Sequence, residues 1–185
     1  MQQFVGHPED DLILELIDTS DKKDIGFRYL VNKYKERLYW HIRRMVGNHD
    51  DADDVIQNTF IKVYRNIHTY QYNASLYTWL YRIATNESIN FLKSKKMSGL
   101  SPEITDFVIG NLKQETHFDE DFAIQKLKAA IHQLPEKQKL VFNLRYYDEL
   151  PYDEIAAITD TSVGALKASY HHAVKKIEAY IKTQF

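Results

Sequence analysis

The sequence predicts an all-α protein made of two small helical domains joined by an acidic linker. Three observations carry that expectation. Apolar residues recur at spacings of three, four and seven along most of the chain, and no alternating strand or hairpin pattern interrupts them. The periodicity lapses over residues 97–121, where one lysine stands against six acids. At 44% apolar residues, 185 positions can close one core or two small ones.

Helices are expected over about 9–18, 24–47, 52–68 and 76–95, with breaks allowed inside the longer ones. Gly47-Asn48-His49-Asp50 reads as a stop followed by a start: glycine caps one helix, and aspartates sit at the positive end of the next. Tyr70 to Ser75 lacks helical pattern and reads as a loop. Helical pattern resumes near Phe122, and Leu134-Pro135 opens a fresh helix with proline near its first turn. The expected division is therefore 1–96, a linker over 97–121, and 122–185.

Composition excludes several chemistries. The absence of cysteine rules out a disulfide framework, a thiolate metal site and a cysteine nucleophile. Met1-Gln2-Gln3-Phe4 lacks the basic and apolar regions of a secretory leader, and no run approaches a membrane span. A cytoplasmic protein with no membrane insertion is expected. The net charge of −2 hides an alternation along the chain. Residues 1–24 carry −5, 25–48 carry +5, 49–61 carry −4, 62–96 carry +5, and 162–185 carry +3. A phosphate feels the local patch rather than the global sum, so two basic blocks suit two contacts on one long polyanion.

The second basic block is the most informative. From Leu76 to Lys96 it mixes aromatics, amides and cations within one amphipathic helix, with Leu80, Ile83, Ala84 and Phe91 on the apolar side. Arg82, Asn86, Asn90 and Lys93 share another side. Single-stranded nucleic acid needs this combination: rings for stacking, amides for base edges, cations for phosphates. An ordinary solvated helix face carries more Glu and Lys, and fewer Asn and Tyr.

Residues 154–167 have the layout of a helix-turn-helix. The first helix ends at Thr159, Asp160 occupies the left-handed turn position, and Ser162 caps the second helix. Leu166, Tyr170, Ala173 and Ile177 form its buried stripe. Lys167, Ala168, His171, His172 and Lys175 face outward, a small and cationic surface suited to a major groove. Adjacent His171 and His172 diverge by about a hundred degrees on a helix, which disfavours chelation of one metal.

Between these motifs, Asp51-Ala52-Asp53-Asp54 opens a helix whose expected inner side is Ile56, Phe60, Val63 and Ile67. Asp54, Gln57, Asn58 and Ile61 share its outer side. Dipole capping accounts for part of the acidity. The cluster lacks the central glycine and closing glutamate of a calcium loop, so no metal and no cofactor are expected.

In order and spacing, the blocks DADDVIQNTFIKVYR, YNASLYTWLYRIATNESINFLKSKK and LPEKQKLVFNLRYYDELPYDEIAAITDTSVGALKASYHHAVKKIE resemble the ECF (extracytoplasmic function) group of bacterial RNA polymerase sigma factors. The likeness covers roughly residues 25–96 and 122–182. It implies a region 2-like bundle followed by a region 4-like helix-turn-helix, and no catalytic residues. Asp53, Asp54, Gln57, Asn58 and Ile61 inherit docking on the β′ clamp helices of core RNA polymerase, with the β flap as a further contact.

Tyr72, Asn73, Ala74, Ser75, Leu76 and Asn86 inherit the pocket for a flipped base of the melted non-template strand at the −10 element. Arg82, Asn90, Lys93, Lys95 and Lys96 inherit the strand beside it. Ser162, Gly164, Lys167, Ala168, Ser169, His171, His172 and Lys175 inherit the duplex −35 element, and an anti-sigma factor is an expected partner. Trp79 and Leu80 match positions expected in the core. Ser169 and His172 replace common arginines, and Asn73-Ala74 replaces a frequent glycine–acid pair, so promoter sequence does not carry over.

Two other readings stay open on the sequence alone. A stand-alone helix-turn-helix regulator explains residues 122–185 but leaves the aromatic 70–96 block without a task. A metal-dependent hydrolase built on His49 and Asp50 lacks further well-placed histidines and leaves both basic blocks unused.

Overall fold

The computed structural model describes residues 8–98 and 120–183, and all regular structure among them is helical. The chain divides into two compact units, residues 1–99 and 100–185. The linker expected over 97–121 lies outside the described residues except at its ends.

The first unit holds α1 (Pro8–Asp18), α2 (Lys23–Val46), α3 (His49–Asn66), a 3₁₀ turn at Ile67–Thr69, and α4 (Leu76–Met97). The expected stop and start are both realised. Gly47 adopts φ 98° and returns its N–H to the Arg43 carbonyl, a left-handed cap open to glycine. The Asn48 side chain then accepts the Asp51 N–H at 2.8 Å, so α3 begins at His49, earlier than periodicity alone suggests. No break occurs inside the 24 residues of α2.

Helix α2 is the central element, packed against α1, α3 and α4. Its buried line runs through Gly26, Leu30, Tyr34, Leu38, His41, Ile42 and Val46. At Gly26 the backbone of α1 comes so close that a Cβ would lie 2.8 Å from the Ile17 nitrogen and 2.9 Å from the Ile13 carbonyl oxygen. Asp10 secures the same crossing by accepting from the Lys33 ammonium at 2.8 Å and the Tyr34 hydroxyl at 2.6 Å.

The inner faces of α3 and α4 are rotated from their expected positions. In α3 the buried residues are Ala52, Val55, Thr59 and Val63, while Ile56 and Phe60 are half-buried. In α4 they are Leu76, Thr78, Leu80, Tyr81, Ala84, Thr85 and Ser88, while Ile83 and Phe91 are half-buried. Hydrogen bonding explains the rotation. The Thr59 and Ser88 hydroxyls bond carbonyls one turn back, and Thr85 reaches His41 at 2.9 Å, so small polar residues are buried without an unmet partner.

The second unit holds α5 (Glu120–His132), α6 (Glu136–Tyr146), α7 (Tyr152–Thr159) and α8 (Val163–Thr183). Its core joins Ala130, Ile131 and Leu134 to Phe142 of α6 and to Ala173 and Ile177 of α8. Asp160 takes φ 52° and donates its N–H to the Ala156 carbonyl, as expected for the turn. The Ser162 hydroxyl accepts the Ala165 N–H at 3.3 Å and caps α8.

Gly26→Ala should therefore destabilise the protein by about 1–3 kcal/mol, through overpacking against α1 backbone that outweighs alanine's better helix propensity. Denaturant midpoints would measure this. An unchanged midpoint would mean that α1 moves aside freely.

Candidate nucleic-acid and docking interfaces

The polar side of α4 is where periodicity put it. Arg82, Asn86, Asn90, Lys93 and Lys96 are exposed. The opposite side is held by the His41–Thr85 bond and a run of rings: Tyr34 to Tyr77 at 6.2 Å, Tyr77 to Tyr81 at 4.3 Å, and Tyr81 to His41 at 4.8 Å. With that side fixed, the amides and cations are presented as a row without local rearrangement. Lys95 departs from the row: its ammonium pairs with Asp51 at 2.6 Å and ties the end of α4 to the start of α3.

The loop before α4 is a cluster of tilted aromatic rings. Tyr72 is 57% exposed and sits at φ 58°, an unusual conformation for a bulky residue. Its ring lies 4.7 Å from Tyr70, whose own ring lies 5.7 Å from Trp79. Trp79 is therefore half-buried against the loop rather than fully in the core, whereas Leu80 is fully buried. The Tyr70 hydroxyl donates to the Ala74 carbonyl at 2.7 Å, and Asn73 reaches Gln71 at 3.2 Å. Ser75 caps α4 by accepting the Thr78 N–H at 3.1 Å. Leu76 is only 2% exposed, a packing residue at the base of the loop.

Along α3, Asp54, Gln57, Asn58 and Ile61 are exposed on one side. Asp53 sits 3.5 Å from His49, which in turn meets the Tyr39 hydroxyl at 2.5 Å. Asn58 and Ile61 also line a groove of about 360 Å³ with Lys62, Arg65, Asn66 and Glu87. A 2.6 Å ion pair between Lys62 and Glu87 joins its α3 and α4 walls.

On α8, Gly164, Lys167, Ala168, His171, His172 and Lys175 are exposed, while Ser169 is half-buried. Ser162 is exposed and serves as the cap already described. Leu166, Ala173 and Ile177 are buried as expected, and Tyr170 is half-buried, stacked 5.8 Å from Phe142. Lys167 lies over Tyr152, its ammonium 5.8 Å from the ring centroid. Sequence reasoning missed Tyr152 and Arg145, whose guanidinium lies 5.3 Å from the same ring. Neither is near Lys167 in sequence, and only the helix-turn-helix fold brings them together.

The Sigma-70 region 2 family model matches residues 30–97, and the Sigma-70 region 4 model matches residues 124–177. The ECF RNA polymerase sigma-E factor of Haemophilus influenzae is 32% identical over 183 residues, covering 94% of this chain and 95% of that protein. The sigma-E factor of Escherichia coli K12 is 31% identical over 179 residues, covering 91% and 92%. Among solved structures, CnrH in complex with the cytosolic domain of CnrY aligns with a TM-score of 0.70 at 18% identity, covering 96% of this chain and 99% of that one. The sigma factor RpoE of Bartonella quintana, in complex with the anti-sigma factor NepR, aligns at 0.65 and 18%, covering 84% and 96%. At that identity the structural likeness speaks to fold alone.

The loop carries a pH signature. Burial pushes the Tyr70 hydroxyl up to about 12, with Tyr72, Asp10 and Asp11 adding to the shift. A phenol whose folded pKa exceeds its unfolded value of about 10 contributes stability that is complete below pH 10. That stability is lost as pH rises toward 12. Denaturant midpoints should fall over this window, and the fall should be smaller in Tyr70→Phe. An identical fall in both proteins would place the alkaline sensitivity elsewhere.

Proposed function

This chain belongs to the ECF RNA polymerase sigma factors, and from that premise we propose how its surfaces divide the work of promoter recognition. Residues 1–96 dock on core polymerase and hold the melted −10 strand, residues 97–121 link, and residues 122–185 read the −35 duplex. The protein is a non-catalytic, dissociable subunit acting in the cytoplasm. The observation that carries this reading is the exposed row of Arg82, Asn86, Asn90, Lys93 and Lys96 on a rigidly backed helix, in the same chain as a helix-turn-helix.

In this division Asp53, Asp54, Gln57, Asn58 and Ile61 meet the β′ clamp helices. Carboxylates, amides and one apolar side chain on a single helix side suit a partner helix that carries both cations and apolar residues. The second unit takes the β flap as its support. Tyr72 and Asn73 rim the pocket for a flipped base, and Asn86 offers its amide to that base. Flipping costs a few kcal/mol of lost stacking, which a preformed loop and the polymerase contacts must offset.

Arg82, Lys93 and Lys96 neutralise phosphates of the single strand, an attraction that weakens with salt. Gly164, Ala168 and His171 face the major groove, while Lys167 and Lys175 supply charge. Because RpoE is seen with the anti-sigma factor NepR, we extend an anti-sigma partner to this chain.

Run-off transcription with core RNA polymerase on pooled genomic promoters tests the reading. The wild-type chain should direct discrete transcripts. Asn86→Ala together with Lys167→Ala should reduce them about tenfold or more while core binding persists, because lost base-edge and phosphate contacts act on DNA alone. Asp54→Lys with Ile61→Asp should abolish core binding. No transcripts and no binding to core by the wild-type chain would sink the proposal and leave a stand-alone DNA-binding regulator.

A further inference from the structure

We propose that Tyr152 is a positioning residue that holds Lys167 as a phosphate grip at the start of the helix-turn-helix. The inference rests on the reading of α8 as a DNA-binding helix and sharpens what one of its side chains does. Tyr152 is the first residue of α7, and Lys167 is the fifth of α8. The left-handed turn at Asp160 folds the two helices together, so residues fifteen apart in sequence become neighbours.

The ring is fixed before the lysine reaches it. Arg145 lies 5.3 Å from the ring centroid and is itself anchored, donating from Nη1 to the Leu150 carbonyl at 2.9 Å. Tyr170 approaches edge-on at 6.5 Å and 80°. Tyr152 is half-buried, in keeping with a ring packed on several sides.

An aromatic face attracts a cation within about 6 Å of its centroid, and the Lys167 ammonium stands 5.8 Å away. Lysine alone is a flexible stem with a hydrated point charge. Resting over a fixed ring narrows its range and leaves the charge exposed, so less freedom is lost when a phosphate arrives.

Direction follows from the same contact. The ring draws Lys167 back toward the start of α7, and the first helix of this motif is the one that crosses the DNA backbone. Lys167 is thereby aimed at phosphate instead of the base edges. Base reading falls to the smaller surface of Gly164, Ala168 and His171. Phosphate contacts position a protein on DNA and base contacts specify sequence, so Tyr152 and Lys167 set affinity and register while leaving promoter choice to their neighbours.

The test measures binding of the full-length chain to a duplex carrying a promoter recovered by run-off transcription, across a salt series. Lys167→Ala should weaken binding to promoter and scrambled duplexes alike and lower the salt slope by about 1. Tyr152→Leu should weaken binding about two- to fivefold, and in the Lys167→Ala background it should add nothing. Tyr152→Phe should restore wild-type binding, because the ring and not the hydroxyl acts.

Equal weakening by Tyr152→Phe and Tyr152→Leu would overturn the proposal in favour of a direct hydroxyl contact. A Tyr152→Leu effect that persists without Lys167 would overturn it in favour of a packing role. Should Tyr152→Leu not fold, Tyr152→Met, which fills the space with no aromatic face, carries the same expectation. No effect of Lys167→Ala would overturn the reading of α8 itself. A Lys167→Ala effect with a silent Tyr152→Leu would overturn only the positioning role.

Discussion

The contact on which the first unit's exposed surface depends is the buried hydrogen bond between His41 and Thr85, 2.9 Å long with both residues almost wholly removed from water. Aliphatic packing holds a helix through interlocking shape, while the hydrophobic driving force itself carries no direction. A hydrogen bond between two buried polar groups has a direction, and breaking it leaves both ends unsatisfied. The rings of Tyr77 and Tyr81 pack beside this bond and resist rotation further. Fixing one side of α4 fixes the other, and with it the row running from Arg82 to Lys93.

The acids at the start of α3 show how one group serves several ends. Asp51 lies in the first turn, where a negative charge complements the helix dipole. It also accepts from the Asn48 side chain at 2.6 Å and from Lys95 at 2.6 Å. The pairing draws the end of α4 onto the beginning of α3 and uses a cation that the sequence alone assigns to nucleic acid. Its neighbour Asp54 points to solvent, so a single acidic run divides between internal support and outward display.

Much of this architecture was legible because it rests on local signals. Gly47 and the aspartates after it marked a helix boundary, Asp160 marked the turn through its tolerance of a left-handed backbone, and the row on α4 followed from spacing alone. What spacing did not reach is burial that depends on where a polar side chain finds its partner. Thr59 and Ser88 are buried with their hydroxyls on carbonyls one turn back, and Thr85 with its hydroxyl on His41 of another helix. Leu76 ends the stretch that the family resemblance gives to the −10 element, and its burial at the base of the loop shows only once the chain is folded. Tyr152 gives no sign of its relation to Lys167, because an interaction between two helices leaves no periodic trace in either one.

The division into two units, each with a core of its own, bears on how the chain comes to be folded. Among the described residues, α2 packs on α1, α3 and α4, and α3 packs on α4, so the residues of this core have been synthesised by the end of α4. Domains fold as units, with the N-terminal one first during synthesis. The order of translation thus completes the first unit of this sigma factor ahead of its helix-turn-helix. A defect in the core of the second unit would leave nascent chains with a formed first unit and no folded helix-turn-helix.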